Sequence, residues 1–399
     1  MTTTINNEHK KLNVPNLRFP EFQGEWDKYE LGDICDIITD FVAAGSFASL
    51  RKNVKYYQEN NYAQLIRTID LKNNFTNSDF VYVDEVAYDF LWRVQLKEPN
   101  IVLPNIGANI GEKYYVKPQD LPKNKNVLGP NAILLRSKCN DTHFVYFRLS
   151  TSSYDNEMKK LVGASGQPKF NKTDLKKVSL FMPSLIEQKR IAYFLALLEE
   201  RIVTQNKIIE DLKKLKSAIY QEIFSNLQGE ECSLLDLAEI IKGQQINGSE
   251  LSDSGKYYVM NGGIAPSGYY DSYNTEADTI SISEGGNSCG YVQYNSSEFW
   301  SGGHCYTLRI KPTSSIATHF LFHYLKWKEP DIMALRIGSG LPNIQKKDLS
   351  KISIIVPTLD KQLQLTVLLS AFKKKIENEE MYVANLDKQK QYLLQQMFI

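Results

Sequence analysis

The stretch that most constrains this chain is written twice. Residues 166–225, GQPKFNKTDLKKVSLFMPSLIEQKRIAYFLALLEERIVTQNKIIEDLKKLKSAIYQEIFS, align without a gap on residues 340–399, GLPNIQKKDLSKISIIVPTLDKQLQLTVLLSAFKKKIENEEMYVANLDKQKQYLLQQMFI. Gly166/Gly340, Pro168/Pro342, Asp174/Asp348, Pro183/Pro357, Gln188/Gln362, Leu195/Leu369, Leu212/Leu386 and Phe224/Phe398 keep one register, so the chain carries an internal repeat.

Each copy closes on a seven-residue apolar pattern. Leu195, Leu198, Ile202, Ile209 and Leu212 form one seam, interrupted at Gln205 and Lys216. Leu369, Phe372, Ile376, Val383 and Leu386 form the other, interrupted at the matching Glu379 and Lys390. A lone helix would leave such a seam in water, so these ten apolar residues are read as partner-binding, the simplest partner being the other copy. Helices of roughly 40 residues from Leu185 and Leu359 would be rods of about 60 Å at 1.5 Å per residue. Globular helices average about 11–12 residues, so a spacer fits better than a helix packed on its own domain. The expected fold is α+β: two mixed β-rich domains, separated by a long antiparallel two-helix coiled coil and related by a pseudo-two-fold axis. The expected divisions are a tail over 1–25, a domain over 26–184, a helix over 185–228, a domain over 229–358 and a helix over 359–399.

Between the helical segments lie β-rich runs bounded by turn residues: Tyr62–Leu71, Phe80–Tyr88, Asn100–Val116 and Ala132–Lys138, then Lys256–Ile264, Asp278–Tyr294 and His304–Lys311. ELGDICDII from Glu30 and SLLDLAEIIKG from Ser233 share a short helical turn leading into a strand. Two THF triplets, at Thr142 and Thr318, open aromatic helices with Thr as the expected N-cap.

A chain of 399 residues exceeds the usual size of one core, as two domains require. Its 47 basic and 46 acidic side chains neither announce nor exclude a nucleic-acid partner, because contact surfaces are local. Five cysteines without a C-x-x-C pair suit reduced, packed thiols. With no apolar leader and no stretch near 18 apolar residues, a cytoplasmic protein without a membrane partner is expected.

Chemistry is conspicuous by its absence. The sequence has no phosphate-binding G-x-x-x-x-G-K-[ST] loop, no G-x-S-x-G elbow and no D/N-P-P-Y/F motif of amino-group methylation. His319 and His323 stand four apart, but without the Glu of H-E-x-x-H they read as helix packing, and no metal site is expected. Gly285, Gly286 and Gly290 read as hairpin turns.

What remains is recognition. The small and polar segments before the rods supply Ser165, Gln167, Lys169 and Lys172 in one copy, and Ser339, Asn343 and Lys346 in the other. Such donors bind phosphates, and Asn or Gln reads adenine edges. Arg67 and Thr68, and Asn261 and Gly262, fall at comparable places in the two halves. Asn105, Asn109, Lys113 and Asn287 complete the candidate DNA-binding set. Two bland readings stay open: a turn feeding a strand, and for Arg67 a salt-bridged strand residue. Residues 230–358 hold ten Lys and Arg against fourteen Asp and Glu, so much of the phosphate binding would fall to partner proteins.

The opening VPNLRFPEFQGEWDKYELGDI, the glycine-serine-proline segments before each rod, and the P-S/T-L-x-x-Q helix starts at Pro183–Gln188 and Pro357–Gln362 come in a duplicated order. Together they resemble the DNA-specificity subunit of type I restriction-modification systems over almost the whole chain. The resemblance implies a non-catalytic subunit with two target-recognition domains, each reading half of a split, asymmetric site in double-stranded DNA. It implies two methyltransferase subunits bringing S-adenosylmethionine, and restriction/translocase subunits using ATP and Mg; this chain itself would bind no cofactor. A coiled-coil protein-binding scaffold without direct DNA readout is the alternative. A stand-alone enzyme is a third reading, against which the missing motifs speak. The second domain is shorter than the first, so its half-site does not follow from the other's.

Overall fold

The computed structural model describes residues 13–76, 79–107, 109–162, 169–338, 340 and 342–399. They form two compact units. The first runs to Thr204 and takes in Val383–Ile399; the second is Gln205–Tyr382. The helices that recur are α1 (Thr142–Leu149), α2 (Leu185–Ser225), α3 (Thr318–Trp327) and α4 (Leu359–Gln396).

The duplication extends to sheet topology. The strands of the first unit are β1 (Asp27–Glu30), β2 (Ile37–Asp40), β3 (Ala63–Ile66), β4 (Val81–Val83), β5 (Asn100–Pro104), β6 (Tyr114–Val116), β7 (Asn126–Leu128), β8 (Ala132–Arg136) and β9 (Ser179–Met182). Those of the second are β10 (Glu230–Ser233), β11 (Ala238–Lys242), β12 (Tyr257–Met260), β13 (Tyr269–Tyr270), β14 (Thr279–Ser283), β15 (Val292–Asn295), β16 (Trp300–Ser301), β17 (Cys305–Ile310) and β18 (Ser353–Val356). The order β2-β8-β5-β6 is repeated by β11-β17-β14-β15, β4-β3-β7 by β13-β12-β16, and the pair β1-β9 by β10-β18. Even the parallel pairings match, β3 with β7 and β12 with β16. Ile101 faces Leu135 as Ile280 faces Leu308.

Each unit buries its core where the sheet, the aromatic helix and one end of each long helix meet. In the first, Trp26, Phe144, Phe147, Leu195, Met397 and Phe398 share a cluster; in the second, Phe224, Phe320, Tyr324, Leu365 and Leu369 do. The shared helix start is explained by its glutamine. Gln188 Nε2 donates to Pro183 O at 2.9 Å while its Oε1 accepts from Asp141 N at 3.0 Å. Gln362 does the same between Pro357 O (2.9 Å) and Ala317 N (2.8 Å). Each buried amide thus ties the start of a long helix to the start of an aromatic one.

Both seams are turned inward. In the first unit Ile191 and Leu195 of α2 cluster with Leu393, Leu394 and Met397 of α4, and Lys390 Nζ meets Glu199 Oε1 at 2.5 Å. In the second unit the interruptions themselves meet, Gln205 donating to Glu379, while Lys213 pairs with Glu380 at 2.6 Å and Ile219 and Ile223 join Leu365 and Leu369. Within each unit, later residues of α2 meet earlier residues of α4, so the segments run antiparallel. Leu195, Ile209, Leu369, Ile376 and Leu386 are buried and Leu198, Ile202, Leu212, Phe372 and Val383 half-buried.

Three expectations shift. The runs Tyr62–Leu71 and Phe80–Tyr88 are strands for only their first part, after which Thr68–Lys72 and Glu85–Phe90 are helical. The cap of α1 is Asp141, whose carboxylate accepts from Phe144 N at 2.8 Å, so Thr142 is the first helical residue rather than the N-cap; at α3 the matching Ala317 has no capping side chain. The stretch before Trp26 is docked, with Leu17 N bonded to Gln396 O at 2.8 Å and Arg18 Nε paired with buried Glu187 at 2.8 Å.

Candidate nucleic-acid interface

Two equivalent corners follow β5 and β14. Asn105 and Glu284 are the next residues, and each is held from the same side: Phe170 N donates to Asn105 O at 3.2 Å, and Ile344 N to Glu284 O at 2.8 Å. Ile106 then bridges to Lys169, and Gly285 to Asn343. The glycines that turn these hairpins keep a four-residue spacing, Gly107 and Gly111 at φ +91° each and Gly286 and Gly290 at +79° and +93°. Nothing crowds a Cβ at Gly107 or Gly286, so the left-handed backbone alone calls for glycine there.

Similar backbones carry different side chains. Asn105 Nδ2 donates to Phe170 O at 3.3 Å, and its buried Oδ1 has no partner among the described residues. Glu284 Oε1 accepts from Lys242 Nζ at 2.7 Å and from Tyr306 Oη at 2.9 Å, and its buried Oε2 is likewise unpartnered. Burial, then the Glu284 carboxylate, pushes the Tyr306 phenol upward, so it stays a donor. Around the first corner stand exposed Lys169 and half-buried Lys172, whose Nζ lies 2.8 Å from Asp40 Oδ1. Around the second stand exposed Asn343, Lys346 and Asn287. A cavity of about 480 Å³ opens beside Asn105, lined by Phe47, Arg51, Tyr56 and Asn131. Phe47 is 75% exposed, an apolar ring in water at the start of a short helix.

The other candidates are dispersed or already engaged. Arg67 grips fully buried Asp70, with Nη2 to Oδ1 at 2.6 Å, and also reaches Asp79 O at 2.9 Å. Forking onto a guanine would take the guanidinium from that buried carboxylate, which favours the salt-bridged alternative for Arg67. Lys113 is paired with Asp155, and Asn109 accepts from Lys72 Nζ at 2.9 Å. Thr68 is half-buried at the head of its helix. Asn261 Oδ1 accepts from His304 N at 3.1 Å, and Gly262 (φ +82°) packs so close to His304 that a Cβ would meet its carbonyl at 3.1 Å. Ser165, Gln167 and Ser339 lie outside the described residues. Glu284, with Lys242 and Tyr306, was missed; the repeated glycine spacing was the signal that could have found it.

His323 is packed between helices and His319 lies against Tyr294, with ring centres 4.4 Å apart. Among the described residues no group of three His, Cys, Asp or Glu side chains is placed to hold a metal. No helix among them is long and apolar enough to cross a membrane.

A family model described as the type I restriction modification DNA specificity domain matches residues 23–214 and again 228–385. A protein of Methanocaldococcus jannaschii, named as a type I restriction enzyme specificity subunit, is 25% identical over 97% of this chain and 96% of its own length. A Mycoplasma pneumoniae protein named as a type I specificity subunit is 35% identical over 147 residues, 37% of this chain. The chain spans about two fifths of the length of that relative and of a similarly named one from Mycoplasma genitalium. In fold, the crystal structure of a type I restriction-modification S subunit from M. genitalium superposes with a TM-score of 0.65 at 19% identity, covering 97% of this chain and 99% of that one. A second solved chain, from work on assembly and conformational transition of the type I system, gives 0.56 at 15% identity, with 92% and 96% covered.

Proposed function

This chain belongs to the family of type I restriction-modification DNA specificity subunits, and from that premise we propose that its two units each read one half of a split, asymmetric site in double-stranded DNA. The observation that carries the reading is the pair of corners: one backbone built twice, with Asn105 and Lys169 in the first unit where the second has Glu284 and Asn343. Two readers of one design and different side chains suit two different half-sites. Lys169 and Lys346 are assigned to phosphates, and Asn343, Asn287 and the Phe47–Arg51 rim to base edges and thymine methyls.

As a specificity subunit the chain is not itself the catalyst. On our reading two methyltransferase subunits dock on it with S-adenosylmethionine, and nuclease/translocase subunits using ATP and Mg complete the complex in the cytoplasm. The long helices act as an antiparallel coiled-coil spacer between the two readers. The acidic balance of residues 230–358 supports leaving much of the phosphate binding to those partners.

The test is duplex binding by the chain co-purified with its methyltransferase subunit. Retention of a specific sequence, falling steeply with salt, is expected. Absence of sequence-selective retention in the complex would return the chain to the protein-binding scaffold.

A further inference from the structure

Lys390 and Lys216 hold the same seam position in the two copies, and among the described residues only Lys390 has a counter-ion. In the first unit Lys390 Nζ lies 2.5 Å from Glu199 Oε1, with His143 Nε2 3.8 Å from the other oxygen. Burial raises the Glu199 carboxyl, but His143 and Lys390 outweigh it and hold the group below its ordinary range, ionised. In the second copy Lys373 takes the place of Glu199, and His319 that of His143. The carboxylate of the first unit has become a second ammonium.

The glutamates nearby do not repair the loss, because each already has a lysine. Glu329 pairs with Lys326 at 2.6 Å, Glu377 with Lys373 at 3.7 Å and Glu380 with Lys213 at 2.6 Å. Among the described residues no carboxylate comes within 4.0 Å of Lys216. Its ammonium stands instead 5.3 Å from the Tyr220 ring centre. Burial, then Lys326 and Lys373, makes it hold its proton less tightly than an ordinary lysine. A half-buried cation without a counter-ion is costly. It lines a cavity of about 610 Å³, together with Tyr220, Trp327 and Ile376.

We propose that this cavity receives one side-chain carboxylate of a bound protein chain, an Asp or Glu of a methyltransferase subunit, in the place that Glu199 fills in the first unit. The proposal rests on the reading that such a subunit docks on this chain. The occupant is a single carboxylate for a reason of charge: four lysines and three glutamates line the cavity, a surplus of one positive charge. A duplex backbone, with one negative charge per about 1.7 Å, would bring many charges against those three glutamates. The indole of Trp327 and the side chain of Ile376 suit the methylene stem of an acidic residue.

The test uses the full chain co-expressed with its methyltransferase subunit, with native mass spectrometry counting bound subunits and a titration giving the affinity of each. Lys373→Glu writes the first unit's ion pair into the second, and Lys216→Gln removes the cation. The wild-type chain is expected to carry two subunits. Both variants should keep one and lose affinity for the other by about tenfold, equivalent to about 1.4 kcal/mol. Lys373→Glu should do so while melting no lower than wild type, because the cavity then supplies its own counter-ion. Unchanged affinity for the second subunit in either variant overturns the proposal, whatever its melting temperature. A wild-type chain that binds no methyltransferase subunit overturns the docking reading as well, and that result is visible before any variant is made.

Discussion

His323 is buried in α3 with both ring nitrogens engaged, Nδ1 at 2.6 Å from the Tyr220 hydroxyl and Nε2 at 3.1 Å from Ser370 Oγ. The first unit has Phe147, Leu394 and Ala196 at the matching places, so one contact is made polar in one copy and apolar in the other. Burial first, then Lys216, His319 and Lys373, lowers the His323 pKa from 6.5 to about 3. Between those values the unfolded chain binds a proton that the folded chain refuses. Stability therefore falls as pH drops through the window, by up to about 1.4 kcal/mol per pH unit. The triple variant His323→Phe, Tyr220→Leu, Ser370→Ala should lose that acid sensitivity, seen as a flatter melting temperature between pH 6.5 and 4; an unchanged slope would sink the assignment. Gln362→Leu should instead destabilise at every pH, by about 1–3 kcal/mol in denaturant titration, because it strands Pro357 O and Ala317 N. At this scale the sequence was least informative. Arg67 has the chemistry of a base reader, yet only coordinates reveal that Asp70 holds it. In the sequence Glu284 is one carboxylate among many; its backbone match to Asn105 is what sets it apart.

The long helices, Leu185–Ser225 and Leu359–Gln396, are legible because a heptad seam is a local, periodic signal. Apolar patterning that continues past a capping carboxylate reads as strand although the chain turns helical there: Asp70 accepts from Arg67 N at 2.8 Å and Asp84 from Ala87 N at 2.9 Å. If the long helices space the two readers as proposed, their length sets the gap between half-sites. Deleting one heptad from α2 and the facing heptad from α4 removes about 10 Å of rod at 1.5 Å per residue. It also keeps the seam on nearly the same face, since seven residues miss two full turns by only about 20°. At about 3.4 Å per base pair, the gap tolerated between half-sites should shrink by about three base pairs. Methylation mapping that returns the original gap would remove the ruler from the mechanism.

For the molecule as a whole, the repeat announced two units before any coordinate, because a gapless match over sixty residues constrains topology as well as helices. What it left hidden was how each unit closes. In the first, β1 and β9 pair, among the described residues, only with each other, Tyr29 opposite Leu180 and Glu30 opposite Ser179, and the β-rich segment runs between them in the chain. In the second, β10 and β18 close the same way, Cys232 opposite Ile354. A domain that enters and leaves through one two-stranded ribbon can be exchanged there without cutting its core sheets. Replacing Tyr29–Lys177 by the corresponding segment of a relative should therefore alter one half of the methylated site and leave the other half as it was. Against the old half-site the hybrid should lose about 1–3 kcal/mol for each base pair it now mismatches. The unchanged half is the sharper readout, because Asn343, Lys346 and the Glu284 corner are untouched by the exchange. Mapping that found both halves altered would mean that the units do not read independently, and the duplicated corners would then serve a single shared site.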